Sequence, residues 1–120
     1  MRKRIQSFGY AGRGIRLVFS SEANMKIHIL ITVLVVICGF FFNISISEWI
    51  FCFLCIGLVF SAEMINTAIE NVVDLASPEH HKLAGNAKDI AAGAVLICAI
   101  ISVIIGFLIF GPKFWNFLKL

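Results

Sequence analysis

The chain has 120 residues, of which 60% are hydrophobic and 14% charged, and its mean hydropathy is +0.97. So oily a composition excludes an ordinary soluble domain and places the chain among membrane proteins. The formal charge of +3 comes without a basic stripe interleaved with aromatics, which argues against nucleic acid, and no alternating ten-residue pattern supports a membrane barrel.

Residues 1–22 predict a surface helix. Ile5, Phe8, Ile15 and Phe19 lie on roughly one face with arginines and lysines around them, the pattern of an amphipathic helix resting on the cytoplasmic membrane surface. Gly9, Gly12 and Gly14 lower helix propensity there, and we read them as points of close approach to another helix. The run Gly9-Tyr10-Ala11-Gly12-Arg13-Gly14 follows no strand and does not match a dinucleotide fingerprint.

Three apolar runs follow: Ile27–Ile46, Trp49–Ala62 continuing into an acidic stretch, and Ile90–Phe110. Each approaches the ~20 residues that cross a bilayer as helix. They predict transmembrane helices over about 25–46, 48–75 and 86–112. The middle one crosses only if Met64–Ile69 belongs to the same helix. Together they make 1–120 a single all-α membrane domain with no separate soluble part.

Topology follows from the basic residues. Arg2, Lys3, Arg4, Arg13, Arg16 and Lys26 precede the first span, whereas the Asn43–Glu48 turn has none. The positive-inside rule then puts the N-terminus and the Leu75–Asp89 connection in the cytoplasm, and the C-terminus with Lys113 and Lys119 outside. The first apolar run starts late and lacks a small-residue cleavage site, so it is expected to stay as an anchor rather than serve as a cleaved signal. Cys52-Phe53-Leu54-Cys55 matches C-x-x-C, but inside an apolar span these cysteines, like Cys38 and Cys98, read as small hydrophobes.

The most informative segment is Glu63–Asp74. At about 100° per residue, Glu63, Asn66, Glu70 and Asp74 share roughly an 80° arc of one helix. An acid at the bilayer centre costs about 2.5–3.5 kcal/mol, so such a cluster needs a cation or a reaction. With Trp49 as an outer-interface anchor, Glu63 lies roughly 21 Å along the helix and Glu70 roughly 31 Å, against a hydrocarbon core about 30 Å thick. Glu63 thus sits just inside the cytoplasmic boundary and Glu70 at the water. That arrangement suits a reaction joining a lipid hydroxyl to a soluble, charged donor.

Other polar residues gather at the same level: Glu22 before the first span, Lys88 and Asp89 opening the third, and the turn Ser77-Pro78-Glu79-His80-His81. Carboxylates with an amide suit Mg²⁺, which takes one or two carboxylates and completes its shell with phosphates and waters. A lysine holds phosphate as a point charge, and a carboxylate at an apolar boundary suits a general base. Ordinary roles exist for several of these residues singly. Asn66 would hydrogen-bond between helices, Asn86 and Asp89 have cap and N3 spacing for the third helix, Glu22 would favour the positive end of the first membrane helix, and Lys88 would anchor at the interface. Those roles leave Glu63 and Glu70 unexplained. His81 is placed to contact a nucleotide, His80 reads as solvated, and His28 has no evident role.

The pattern Glu63-x-x-Asn66-Thr67-Ala68-Ile69-Glu70-x-x-Val73-Asp74, followed by Lys88-Asp89-Ile90-Ala91-Ala92-Gly93-Ala94-Val95, resembles the signature of the prokaryotic diacylglycerol kinase family, which includes the undecaprenol kinases. The similarity runs from Ser7-Phe8-Gly9-Tyr10-Ala11 through the third span. It implies a lipid kinase of the bacterial inner membrane, a homotrimer with composite sites at subunit interfaces. By that resemblance Glu63 is the general base, and Ala92 lies with it at the lipid substrate. Glu22 and Glu70 hold Mg²⁺ on the ATP phosphates, Asn66 and Asp74 support that site, and Lys88 and Asp89 contact the nucleotide, as do Tyr10, Glu79 and His81. Lys3 departs from the family's arginine in the ATP site, which keeps the charge but loses bidentate pairing. The Asn24–His28 stretch is closer to the undecaprenol kinase branch than to the diacylglycerol branch, so undecaprenol is slightly favoured over diacylglycerol. A small proton- or cation-coupled transporter is the alternative; it would want its acid near the midplane and an inverted repeat, whereas these charges cluster at one edge.

Overall fold

The computed structural model describes residues 1–119, which form four helices: α1 (Arg2–Ser21), α2 (Ala23–Phe42), α3 (Ile46–Ala76) and α4 (Lys82–Leu118). The last three are long and apolar enough to cross a membrane. The architecture is therefore the expected all-α one, a first helix followed by three spans. At 1.5 Å per residue, α3 is about 46 Å long and α4 about 55 Å, both longer than a hydrocarbon core of about 30 Å.

The turns explain the boundaries. Glu22 alone separates α1 from α2: its backbone is extended, and its N–H still donates to the Val18 carbonyl at 3.1 Å. Asn43 ends α2 in the left-handed conformation (φ 53°), which asparagine tolerates because its short polar side chain bonds locally. The Ile44 N–H then reaches back to the Gly39 carbonyl at 3.1 Å while its side chain is buried. Ser45 and Glu48 form a capping box that starts α3: the Glu48 N–H donates to Ser45 Oγ at 3.2 Å, and the Ser45 N–H donates to Glu48 Oε1 at 2.9 Å.

The start of α4 differs from the sequence expectation. Asn86 does not cap this helix and Asp89 is not at its N3 position; both lie within it. His81 is the cap, its Nδ1 accepting from the Leu83 N–H at 3.1 Å, so Lys82–Gly85 already propagate the helix. At the other end α4 passes through Pro112. A proline inside a helix costs about 3 kcal/mol, and contacts with α2 and α3 hold the turns that follow it. Lys113 pairs with Glu48 at 3.1 Å, Phe114 packs edge-on against Phe42 at 4.8 Å, and Phe117 meets Phe41 at 5.5 Å.

Packing is uneven along the bundle. The apolar core, Ile44, Cys52, Ile109 and Phe110 with Phe42, Trp49 and Ile105 around it, sits at the end of the spans far from the acidic stretch. Trp49 lies so close over Gly39 that a Cβ there would fall 2.5 Å from its Cη2, so only glycine fits. The four cysteines are free, with Cys52 buried in that core. At Gly9, Gly12 and Gly14, by contrast, a Cβ would meet nothing within 4 Å. The expected close approach of α1 to another helix at these glycines is therefore not made within this chain, where α1 touches the bundle instead through side chains such as Phe19 on Phe60, 5.3 Å between ring centres.

Candidate active site

The residues buried toward the acidic end of α3 are polar. Glu63 is 2% exposed, and Asn66 and Thr67 are buried beside it. Helical spacing puts Glu63, Asn66 and Glu70 on one face, and the face is knitted along its length. The Asn66 Nδ2 donates to Glu70 Oε1 at 3.1 Å, and Thr67 Oγ1 donates to the Glu63 carbonyl at 3.0 Å. The Asn66 bond runs within its own helix, so the ordinary alternative of an interhelical bond is not what occupies this amide. Its Oδ1 is buried with no partner among the described residues. A buried unmade hydrogen bond costs about 1–3 kcal/mol, so this acceptor marks a place where a ligand would be stabilised.

Each neighbouring charge is fixed from another element. Asp74, one turn beyond Glu70, pairs with Lys88 Nζ of α4; Lys88 is thus engaged across the helix pair rather than standing alone at an interface. His28 of α2 brings Nε2 to 3.7 Å from Glu63 Oε2. This contact escaped the sequence reading because it depends on how α2 packs on α3, and only the chemistry-bearing type of His28 signalled it. Glu22 occupies the N-cap position of α2, yet its side chain makes no capping bond. Its half-buried carboxylate is therefore not consumed in holding the helix.

The remaining predicted residues stand apart from this face within one chain. Tyr10 is 69% exposed on α1, and Lys3, Glu79, Asp89 and Ala92 are exposed as well. Glu79 contributes its carbonyl, at 3.0 Å from Ser77 Oγ, to the α3–α4 turn. The His81 ring is spent at Nδ1 on the cap, which orients the ring and leaves its other nitrogen available. A shallow hollow of about 420 Å³ lies against this turn, lined by Val73, Ala76, Ser77, His81, Leu83 and Ala84.

Two properties bear on ligands. The donors on the acidic face and at Glu22 are oxygens, the chemistry a hard divalent cation takes. Among the described residues no three histidine, cysteine or acidic side chains converge to make a cage, so any such cation would rely on ligand phosphates and waters for most of its shell, as Mg²⁺ usually does. Second, an apolar cleft of about 710 Å³ opens between α2, α3 and α4; it starts at His28 and runs past Val59, Cys55 and Ser102 to Phe114 and Leu118. Hydrocarbon and the buried carboxylate thus meet at His28.

Comparison with known proteins points the same way. The sequence model for prokaryotic diacylglycerol kinase matches residues 9–110. The chain is 53% identical over 108 residues to an undecaprenol kinase of Bacillus subtilis (strain 168), covering 90% of this chain and 88% of that one. It is 40% identical over 101 residues to a diacylglycerol kinase of Synechocystis sp., covering 83% of this chain and 58% of the longer relative. A diacylglycerol kinase of Escherichia coli (strain K12) is 33% identical over 100 residues, 83% of this chain and 82% of its own.

Proposed function

This chain belongs to the prokaryotic diacylglycerol kinase family of lipid kinases, and from that premise we propose that it transfers the γ-phosphate of MgATP to the hydroxyl of a membrane lipid, undecaprenol ahead of diacylglycerol. The observation that carries the chemistry is Glu63: a carboxylate 2% exposed, on a membrane helix, in register with Asn66 and Glu70. Neither proton transport nor a purely structural role is needed to account for it once the family is known.

In this reading Glu63 takes the proton from the lipid hydroxyl as that oxygen attacks the γ-phosphorus. Glu70 and Glu22 would hold Mg²⁺, and Asn66 would support that site; bound there, Mg²⁺ would supply charge neutralisation on the phosphates. Lys88 and Asp89 contact the nucleotide, Asp74 keeps Lys88 in place, and Tyr10, Glu79, His81 and Lys3 complete the ATP site. Ala92 contributes with Glu63 to the lipid site, and the lipid's hydrocarbon would run along the apolar cleft. Most of the rate enhancement comes from alignment and from fixed charge around the phosphates.

We further propose a homotrimer whose sites are shared between subunits, set in the bacterial inner membrane with the N-terminus in the cytoplasm. The exposure of Tyr10, the open surface at the α1 glycines and the apolar faces left uncovered on all three spans support the assembly. The six basic residues before the first span support the orientation. Undecaprenol is favoured by the 53% identity to a relative named for it, against 33–40% for relatives named for diacylglycerol.

The test is transfer of labelled γ-phosphate from MgATP by the purified protein in mixed micelles, with undecaprenol and diacylglycerol offered separately. Label on undecaprenol is the expected result. Label on diacylglycerol alone would reverse the lipid assignment, and no label on either lipid, from protein that is folded and trimeric, would overturn the kinase reading.

A further inference from the structure

Resting on the kinase reading above, we propose that the apolar cleft between α2, α3 and α4 seats one long hydrocarbon tail of the lipid substrate and selects it by length. Gly106 keeps the cleft open to tails longer than one leaflet of the bilayer. The register of α3 on α4 shows where the cleft begins. Asp74 meets Lys88 and Glu48 meets Lys113 at 3.1 Å, so these antiparallel helices bring Ala99 close to the level of Glu63. Ala99 and His28 line that end of the cleft, and His28 lies 3.7 Å from the Glu63 carboxylate. From Ala99, helical rise carries the α4 wall about 11 Å to Gly106 and about 28 Å to Leu118. A lipid hydroxyl held at Glu63 thus has before it an apolar path nearly as long as a hydrocarbon core about 30 Å thick.

The lining suits a hydrocarbon tail. Among the described residues it contains no lysine, arginine, aspartate or glutamate. Its two hydroxyls are turned to their own helices, Thr32 Oγ1 donating to the His28 carbonyl and Ser102 Oγ to the Cys98 carbonyl, both at 2.7 Å. The volume of about 710 Å³ falls within the roughly 300–1,000 Å³ of clefts that hold ligands. Lipid tails are as apolar as these walls, so leaving the bilayer gives a free tail no reason to enter. Attachment supplies the reason: once the hydroxyl is at Glu63, the rest of the same molecule is held at high local concentration beside the cleft.

Length decides which tail fills it. One leaflet is roughly 15 Å deep, so a diacylglycerol tail ending at the midplane stops soon after Gly106. It leaves the walls at Phe110, Phe114 and Leu118 without partner atoms, whereas a longer isoprenoid tail reaches them and gains their dispersion contacts. Gly106 stands at the divide. It lines the cleft, and a Cβ there would meet nothing within 4 Å, so the space a side chain would take is left to the ligand. Glycine lowers helix propensity inside α4, and folding gains nothing from it at this position.

The experiment compares undecaprenol with a short prenol whose tail ends before Gly106, measuring kcat/KM for each in mixed micelles at saturating MgATP. Wild type, Gly106→Ala and Gly106→Leu are assayed side by side. Wild type is expected to favour undecaprenol. Gly106→Leu lowers the ratio of undecaprenol to short prenol by about 10-fold or more, the scale of overpacking a filled site, and Gly106→Ala lowers it less. Taking the ratio within one preparation cancels any loss of folded protein. A second measurement needs neither a variant nor turnover: wild type is irradiated with a prenol carrying a photoreactive group about 20 Å from its hydroxyl, beyond the depth of one leaflet. Label on the Phe107–Leu118 stretch of α4 is the expected result. An unchanged ratio in Gly106→Leu, or label only outside the cleft, would overturn the proposal. No label in the cleft, with Gly106→Leu unable to assemble, would also overturn it and assign the cleft to a neighbouring copy of this chain. A wild type that phosphorylates neither prenol would overturn the kinase reading instead.

Discussion

The α3–α4 pair carries one acid–lysine bridge toward each end, and the two ends put their remaining polar groups to different uses. At the Ser45 end Glu48 closes the capping box with Ser45 and pairs with Lys113, Trp49 fills the space above Gly39, and an apolar core seals the rest. Every polar group named there is satisfied by the fold. At the Asp74 end Asp74 and Lys88 make the equivalent bridge, but three further groups are left over: Glu63, buried against a histidine; Glu70, held by one amide hydrogen bond; and the buried Asn66 Oδ1 with no partner among the described residues. Folding alone would not retain such a surplus, since burying polar groups incompletely paired is costly. The difference separates a bridge that holds helices together from a bridge that frames a site.

Four substitutions sharpen that contrast. The largest effect is expected at Glu63→Gln, which keeps the shape but cannot take a proton: turnover falls by about 10²–10⁴-fold, while MgATP binding to the detergent-solubilised protein stays as in wild type. Next is Glu70→Ala, which removes a proposed metal ligand; KM for MgATP rises by about 10–100-fold and shifts with Mg²⁺ concentration, and an unchanged KM would remove Glu70 from the metal site. At the Ser45 end the consequences move from rate to stability. Gly39→Ala drives a methyl into the Trp49 ring and should destabilise by about 1–3 kcal/mol, read as a lower unfolding midpoint in denaturant with kcat of the folded fraction unaltered. Ser45→Ala removes half of the capping box and should cost about 1 kcal/mol, again without a change in rate. A rate defect from either Ser45-end variant at full folding would break the comparison.

Much of this was legible in the sequence, for identifiable reasons. Hydropathy over windows of a helix's length reveals spans, and helical spacing reveals a shared face, so the helix number and the Glu63–Asp74 face followed from residues alone. What escaped depended on partners distant in the chain or on competition between local signals. Asn86 and Asp89 have the spacing of a cap, but His81 caps more than a turn earlier and that helix start wins. Pro112 marks an end by local chemistry, yet Lys113 and Phe114 have tertiary partners that carry the helix through it. The Asn66–Glu70 hydrogen bond joins two residues that helical spacing had already put on one face, so it was within reach of the sequence. The His28–Glu63 contact joins residues on different helices, and periodicity within one helix carries no information about it.

The most direct test of the contrast between the ends sets Glu63→Gln beside Glu48→Gln in one assay, labelled phosphate transfer from MgATP to undecaprenol in mixed micelles, with MgATP affinity measured on the same preparations. The account predicts that Glu63→Gln binds nucleotide and transfers almost nothing, while Glu48→Gln transfers at the wild-type rate per folded molecule. Transfer by Glu63→Gln at a rate near that of wild type would contradict it.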